Sequence, residues 1–324
     1  MKYEPKVTII IPVYNGSNFL AEAIDAALAQ TYQNCEILVV NDGSKDDGAS
    51  EKIALSYGDK ITYYTKENGG VSTALNFALE KMHGEWFSWL SHDDLYYPQK
   101  IEKQVVFLNQ LLENEPGIDL KKTVLHCATE SIDKDGKTIK IPDYSDIEIK
   151  EKSLDVIIGN VYNYRLSGCS FLLPYAAYKE MGGFRVDIRT VSDVEYWYRL
   201  LFHGYQFYCM KNDILVKNRS HGKQVGKTKV SLFDKELAEL HIAIADQLAG
   251  VAEYNNAKVF KKYYFGLVKR KISDAARYTK VKHLKGCVSP FEYRIVIPCI
   301  KAKWNLIGTC RNIARNIYRR INVK

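Results

Sequence analysis

The sequence predicts an α/β protein: a doubly wound, mostly parallel sheet in the first half, a mixed second half, and a helical C-terminal extension. Three observations carry this. Short apolar runs alternate with helix-period segments through the first hundred residues. Polar, turn-forming residues recur at the ends of four successive runs. From about Ser231 the pattern becomes helical and basic.

Val7–Val13 is a β-branched run of the kind buried on both faces of a sheet. Asn15-Gly16-Ser17 follows, with Ser17 expected to cap a helix that turns Leu20, Ile24, Ala27 and Leu28 inward. Glu36–Val40 is a second strand ending in Asn41-Asp42-Gly43-Ser44. A helix near Asp46–Tyr57, a strand at Ile61–Thr65, a helix at Val71–Met82 and a strand at Glu85–Leu90 complete a βαβαβαβ series. Such a series implies parallel strands joined by right-handed crossovers. Pro98 opens a helix reaching about Asn114. Val124–Ile132 and Thr138–Ile141 flank the hairpin signal Asp135-Gly136. Leu166–Leu173 is a further apolar run, Val194–Phe202 a helix, and Tyr205–Met210 and Ile214–Lys217 two strands. The resulting division is 1–230 as a catalytic domain, with halves 1–115 and 116–230, and 231–324 as the extension.

VTIIIPV is too short for a signal-peptide core, and no stretch approaches the 18 or so apolar residues of a membrane span. Seven cysteines, none in a C-x-x-C pair, argue against a zinc site or disulfide framework and fit a reducing cytoplasm. The net charge of +8 is divided unevenly: Lys235–Lys324 holds 19 basic and 6 acidic residues, against a net −5 before it. The two halves are expected to meet different partners.

Loops at the carboxyl ends of parallel strands are where open α/β sheets bind ligands. Asp42 could accept hydrogen bonds from a base or ribose, or serve as an ordinary turn residue. Ser91-His92-Asp93-Asp94 sets two carboxylates side by side after an apolar strand. A hard divalent cation, Mg²⁺ or Mn²⁺, would offset their repulsion; a solvated loop before the next helix is the alternative. The first turn holds only Gly16, so a dinucleotide fingerprint is missing, and Gly222–Thr228 is one residue short of a phosphate-binding loop.

VTIIIPVYNGSNFLAEAIDAALAQTYQNCEILVVNDGSKDD, followed by ENGGVSTALNFALEKMHGEWFSWLSHDDLYYPQKIEKQ, closely resembles the family 2 glycosyltransferases of the GT-A fold. Gly182-Gly183-Phe184, Ser192-Asp193 and Arg219–Gln224 extend the likeness. The resemblance implies transfer of a sugar from a nucleoside diphosphate to an acceptor hydroxyl, with inversion and with Mn²⁺ or Mg²⁺ as cofactor. It places Pro12, Tyr14, Asn15, Asp42, Asn68, Gly70, Ser91 and His92 at the nucleotide, Asp42 against the base. Asp93 matches the metal-binding last Asp of a D-x-D signature whose first Asp is Ser91 here. His221 would stand near the metal, and Asp193 would be the catalytic base; its alternative is a cap for the following helix. Leu75 replaces the family's usual arginine before Asn76. Gly168-Cys169-Ser170 would form part of the acceptor wall, whereas Trp197 and Tyr198 read as core.

The implied partners are a UDP- or dTDP-sugar and a glycan or glycolipid acceptor of a bacterial surface polysaccharide. Ile307, Cys310, Ile313, Ala314, Ile317 and Ile321 share one helical face flanked by arginines. That helix would lie on the inner face of the membrane or dock on the catalytic domain. Two other readings are a nucleotidylyltransferase, which would need a basic glycine-rich first loop, and a nucleic-acid-binding protein using the tail, which would need interleaved aromatic and basic residues.

Overall fold

A computed structural model describes residues 2–163, 166–222, 224 and 228–284. Among these, 2–160 with 166–236 make one compact unit, and 161–163 with 237–284 a second. The helix at 301–324 and Cys287, Cys299 and Cys310 lie outside the described residues.

The first unit begins with β1 (Val7–Val13), α1 (Leu20–Leu28), β2 (Cys35–Asn41), α2 (Ala49–Leu55), β3 (Thr62–Thr65), α3 (Val71–Lys81) and β4 (Trp86–Trp89). Their strands are all parallel in the order β3-β2-β1-β4. Every residue of β1 is buried, as a central strand covered on both faces requires. Burying each large apolar side chain contributes about 1.5–3 kcal/mol.

Pro12 sits in this central strand without costing a ladder bond. The β1–β4 pairing ends where Leu90 N donates to the Ile10 carbonyl at 2.9 Å. In a parallel ladder Pro12 faces the same neighbour as Ile10, so its missing N–H falls where β4 has already departed. The sheet therefore opens between β1 and β4 at their carboxyl ends.

Ser17 does not cap α1; Phe19 is the capping residue and no side chain bonds there. The amides of Phe19 and Leu20 instead donate to the Gly16 carbonyl, so a turn delays the helix by about three residues. Leu20, Ala23, Ile24 and Ala27 face inward, while Leu28 is among the exposed apolar residues.

β5 (Leu95–Tyr96) and α4 (Lys100–Asn114) lead into a second, mixed sheet. It contains β5 itself, β6 (Thr123–Ile132), β7 (Thr138–Lys140), β8 (Lys150–Glu151) and, at the end of the unit, β10 (Gln206–Arg219). Between them lie α5 (Ser153–Asn163), β9 (Leu173–Pro174), α6 (Tyr175–Met181) and α7 (Ser192–Phe202). β9 closes the first sheet antiparallel to β4. The two strands expected at 205–217 are one: β10 runs parallel to β6 for its whole length, and irregularities between Met210 and Val216 absorb polar Lys211-Asn212-Asp213. Trp197 and Tyr198 are buried, Trp197 stacking on Phe171 at 4.0 Å. The remaining helices are α8 (Val230–Gly250), α9 (Ala257–Lys269) and α10 (Ser273–Lys282), the last two wholly in the second unit.

Candidate active site

Four loops leave the carboxyl ends of β1 to β4, and side-chain bonds link them. Asn15 holds a left-handed backbone (φ 50°); its amide donates to Ser44 Oγ at 2.9 Å and its Oδ1 accepts from the Lys45 amide. Gly16 meets the fourth loop, since a Cβ there would stand 2.3 Å from the His92 ring. Pro12 is buried at the opening between β1 and β4, and Tyr14 is 43% exposed above it.

Asp42 ties the second loop to the third. It is 3% exposed, and five donors reach its carboxylate. Oδ1 accepts from Lys66 Nζ (2.7 Å), Gly69 N (3.0 Å) and Thr73 Oγ1 (3.4 Å). Oδ2 accepts from Gly70 N (2.7 Å) and Asn68 Nδ2 (3.1 Å). A carboxylate offers about four lone-pair directions, and these donors take them up in this arrangement. Gly70, at φ 91° and ψ 166°, holds a conformation essentially reserved for glycine.

The fourth loop meets the end of β10. Asp93 Oδ2 lies 2.8 Å from His221 Nε2, and both side chains are partly exposed, at 13% and 14%. Among the described residues no other side chain bonds the Asp93 carboxylate. His221 also packs beside the Phe19 ring at 5.3 Å. His92 is deeply enclosed, and burial lowers its pKa against the pull of Asp93 and the Pro12 carbonyl.

Asp94 is not a solvated partner of Asp93. It is buried, accepting from the Arg219 amide (2.7 Å) and the Cys169 thiol (3.1 Å). Burial first, then the Asp93 charge, push its carboxyl up to about 8. Ser91 contacts the same thiol, its amide donating to Cys169 Sγ at 3.3 Å. The 168–170 segment expected at the acceptor wall thus supports the fourth loop from behind.

Asp193 occupies the first turn of α7. Val191 is the capping residue, and the Asp193 carboxylate accepts from the amides of its own first turn. Burial raises the Asp193 carboxyl to about 6, opposed by the Val194 amide. Ser192 fixes this turn to the third loop through Ser72 Oγ at 2.8 Å, and the Arg189 guanidinium donates to the Gly69 carbonyl. One turn on, Trp197 stacks on Phe171, next to the segment that carries Cys169. Asp93 and Asp193 therefore lie on the same edge of the sheet, joined by packed elements on both sides.

Three supports were not singled out as such by sequence. Asn76 accepts from the Phe184 amide and donates to its carbonyl, both at 2.8 Å, clamping Gly182-Gly183-Phe184 to α3. Leu75 beside it is core. Arg219 donates from Nη2 to Glu22 (2.7 Å), from Nε to the Asp93 carbonyl (2.8 Å) and from Nη1 to the Lys134 carbonyl (2.8 Å). A guanidinium so bonded is a strut. Cys169 is the third; the sequence sets it in the acceptor wall rather than beneath the fourth loop.

Comparisons with known proteins agree with this architecture. Residues 8–113 match Glycosyl transferase family 2. An uncharacterized glycosyltransferase of Rickettsia typhi is 43% identical over 233 residues, 72% of this chain and 70% of its own. One from Rickettsia felis is 45% identical over 72% of this chain, which spans only 37% of that longer protein. The Staphylococcus aureus TarS 1–349 complex with UDP superposes with a TM-score of 0.61 at 16% identity, covering 89% of this chain and 76% of that 1–349 chain. The Pyrobaculum calidifontis mannosyltransferase PcManGT, solved with GDP-Man and Mn²⁺, gives 0.53 at 16% identity, covering 94% and 87%. With strand-end loops in place, extensive identity to the rickettsial proteins and a shared architecture, the chain belongs to glycosyl transferase family 2 and has the GT-A fold.

Proposed function

We propose that the protein transfers a sugar from a nucleoside diphosphate to an acceptor hydroxyl with inversion, Asp193 acting as the general base. The observation that carries this is that the turn bearing Asp193 is bonded to the third strand-end loop, at the same edge of the sheet as the partly exposed Asp93–His221 pair, with burial raising the Asp193 carboxyl to about 6. The acceptor oxygen bonds to the anomeric carbon as the bond to the diphosphate breaks, and its proton passes to Asp193. A carboxyl of this acidity is ionised at neutral pH yet basic enough to take that proton.

Asp93 and His221 would hold the divalent ion. One carboxylate and one imidazole at the mouth of the site suit Mn²⁺, which accepts nitrogen as well as oxygen, better than Mg²⁺. Bound there, the ion would supply positive charge for the departing diphosphate. Pro12, Tyr14, Asn15, Asn68, Gly70, Ser91 and His92 line the donor side. Asp42 shapes that side from beneath by holding the Asn68–Gly70 loop. PcManGT, with its GDP-Man and Mn²⁺, and TarS with UDP support a nucleotide-sugar donor.

The acceptor in this reading is a glycan or glycolipid of a surface polysaccharide, reached from the cytoplasmic face of the membrane. No helix among the described residues is long and apolar enough to cross a membrane. The basic tail, at net +13, would instead hold the protein on anionic lipid. Titration calorimetry of UDP, dTDP and GDP with and without Mn²⁺, followed by transfer assays over a panel of nucleotide sugars, tests the donor. Metal-independent binding, or no turnover of any activated sugar, would refute it. Vesicle sedimentation with and without 301–324 tests the membrane role; equal binding refutes that part.

A further inference from the structure

On the second sheet, away from the strand-end loops, three side chains with different chemistry converge. Parallel pairing sets Cys209 of β10 opposite His126 of β6, while antiparallel pairing brings Glu151 of β8 opposite Phe207. A ring nitrogen of His126, the Cys209 sulfur and a Glu151 carboxylate oxygen all lie within 4.8 Å of one another. The His126 and Glu151 side chains are 1% and 11% exposed, and Cys209 is fully buried. Phe171 and Phe207 wall the imidazole at 5.5 and 6.4 Å.

His126 Nε2 lies 2.5 Å from Glu151 Oε2, but Nδ1 meets no hydrogen-bond partner among the described residues. A cation shared by the three groups would take Nε2, the nitrogen that already faces Glu151. A buried imidazole–carboxylate pair closed on itself stabilises little, and nothing in the proposed transfer chemistry uses it.

We propose that His126, Cys209 and Glu151 form a zinc site distinct from the Asp93 centre, clamping β8 onto β10 and β6. The donor set selects the metal. A thiolate, an imidazole and a carboxylate suit Zn²⁺, whereas Mg²⁺ and Mn²⁺ favour oxygen-rich sites. A thiolate and a carboxylate balance the dication, so the loaded site is neutral among apolar walls. A water completes the tetrahedron. The site stands whether or not Asp93 holds an ion.

Cobalt substitution of the full-length protein separates the two centres. Tetrahedral Co²⁺ bound through Cys209 gives an intense thiolate-to-metal charge-transfer band, while Co²⁺ at Asp93–His221 gives none. The expected result is a band saturating at about one Co²⁺ per chain and displaced by Zn²⁺. It is retained in Asp93→Asn and lost in Cys209→Ser and His126→Gln. Absence of the band in the wild type, or its survival in folded Cys209→Ser, overturns the proposal. Should both site variants unfold, elemental analysis of the wild type and Asp93→Asn after gel filtration decides. About one zinc per chain in each supports the site; zinc absent from either refutes it.

Discussion

Two carboxylates emerge from parallel strands at the same edge of the sheet and live in opposite ways. Asp42 is buried beneath five donors, one of them a lysine. Asp93 has one protein partner among the described residues, the His221 imidazole, and keeps an edge open to solvent. The first spends its bonding capacity on architecture, fixing the third loop in a glycine-only conformation. The second keeps bonding capacity in reserve, which the proposed mechanism assigns to a divalent ion. Asp94, one residue on, is of the first kind, enclosed by Arg219 and Cys169. Adjacent positions in a chain can thus divide between scaffold and ligand site, and hydrogen-bond saturation separates them where residue type does not.

The contrast can be tested from its strongest consequence down. Asp193→Asn removes the proton acceptor and should lower kcat by about 10²–10⁴-fold, with UDP affinity by calorimetry unchanged. Asp93→Asn should cost about 10²–10³-fold in turnover, the scale of losing one well-placed electrostatic contact. It should also abolish the Mn²⁺ dependence of UDP binding while leaving Tm unchanged or raised, since a charge next to Asp94 is gone. For the wild type, a base with a carboxyl raised to about 6 must be ionised to work. A pH profile should therefore show kcat falling roughly tenfold per unit below that value and level above it. Asp42→Asn loses charge-assisted bonds to buried amides, a destabilisation of about 1.5–3 kcal/mol, which calorimetry would read as about 2–4 °C of Tm per kcal/mol. If Asp42→Asn instead kept its Tm and lost only nucleotide binding, Asp42 would be a ligand residue and the contrast with Asp93 would fail. The smallest effect tests the loop approach alone: Gly16→Ala drives a methyl toward the His92 ring and should cost about 1–3 kcal/mol.

The parallel half of the fold was legible because its signal is periodic and local. Val7–Val13 is the strand the apolar run predicts, and the four loops follow from where the runs stop. Ser17 misled because a capping residue is defined by the helix it starts, and the Gly16 carbonyl holds the amides of Phe19 and Leu20. β10 was read as two strands because three polar residues interrupt the apolar pattern; a bulge ejects them without ending the strand. At the site, sequence supplied the residue types but not their saturation. That Asp42 would be filled by Lys66 and the Gly69 and Gly70 amides, or that Cys169 would reach Asp94 across 75 positions, depends on tertiary contacts no local pattern encodes. Asn76 carried a faint signal, a polar residue amid Ala74, Leu75 and Ala78, all buried.

Arg219 has a consequence for the life of the chain. It bridges the Glu22 carboxylate and the backbone carbonyls of Asp93 and Lys134, while the arginine itself is translated long after the last of the four loops. An emerging polypeptide therefore carries the four loops well before the brace that ties them, and it gains His221 only two residues later. A partly made protein would have the four loops without the brace that ties residues 22, 93 and 134 together.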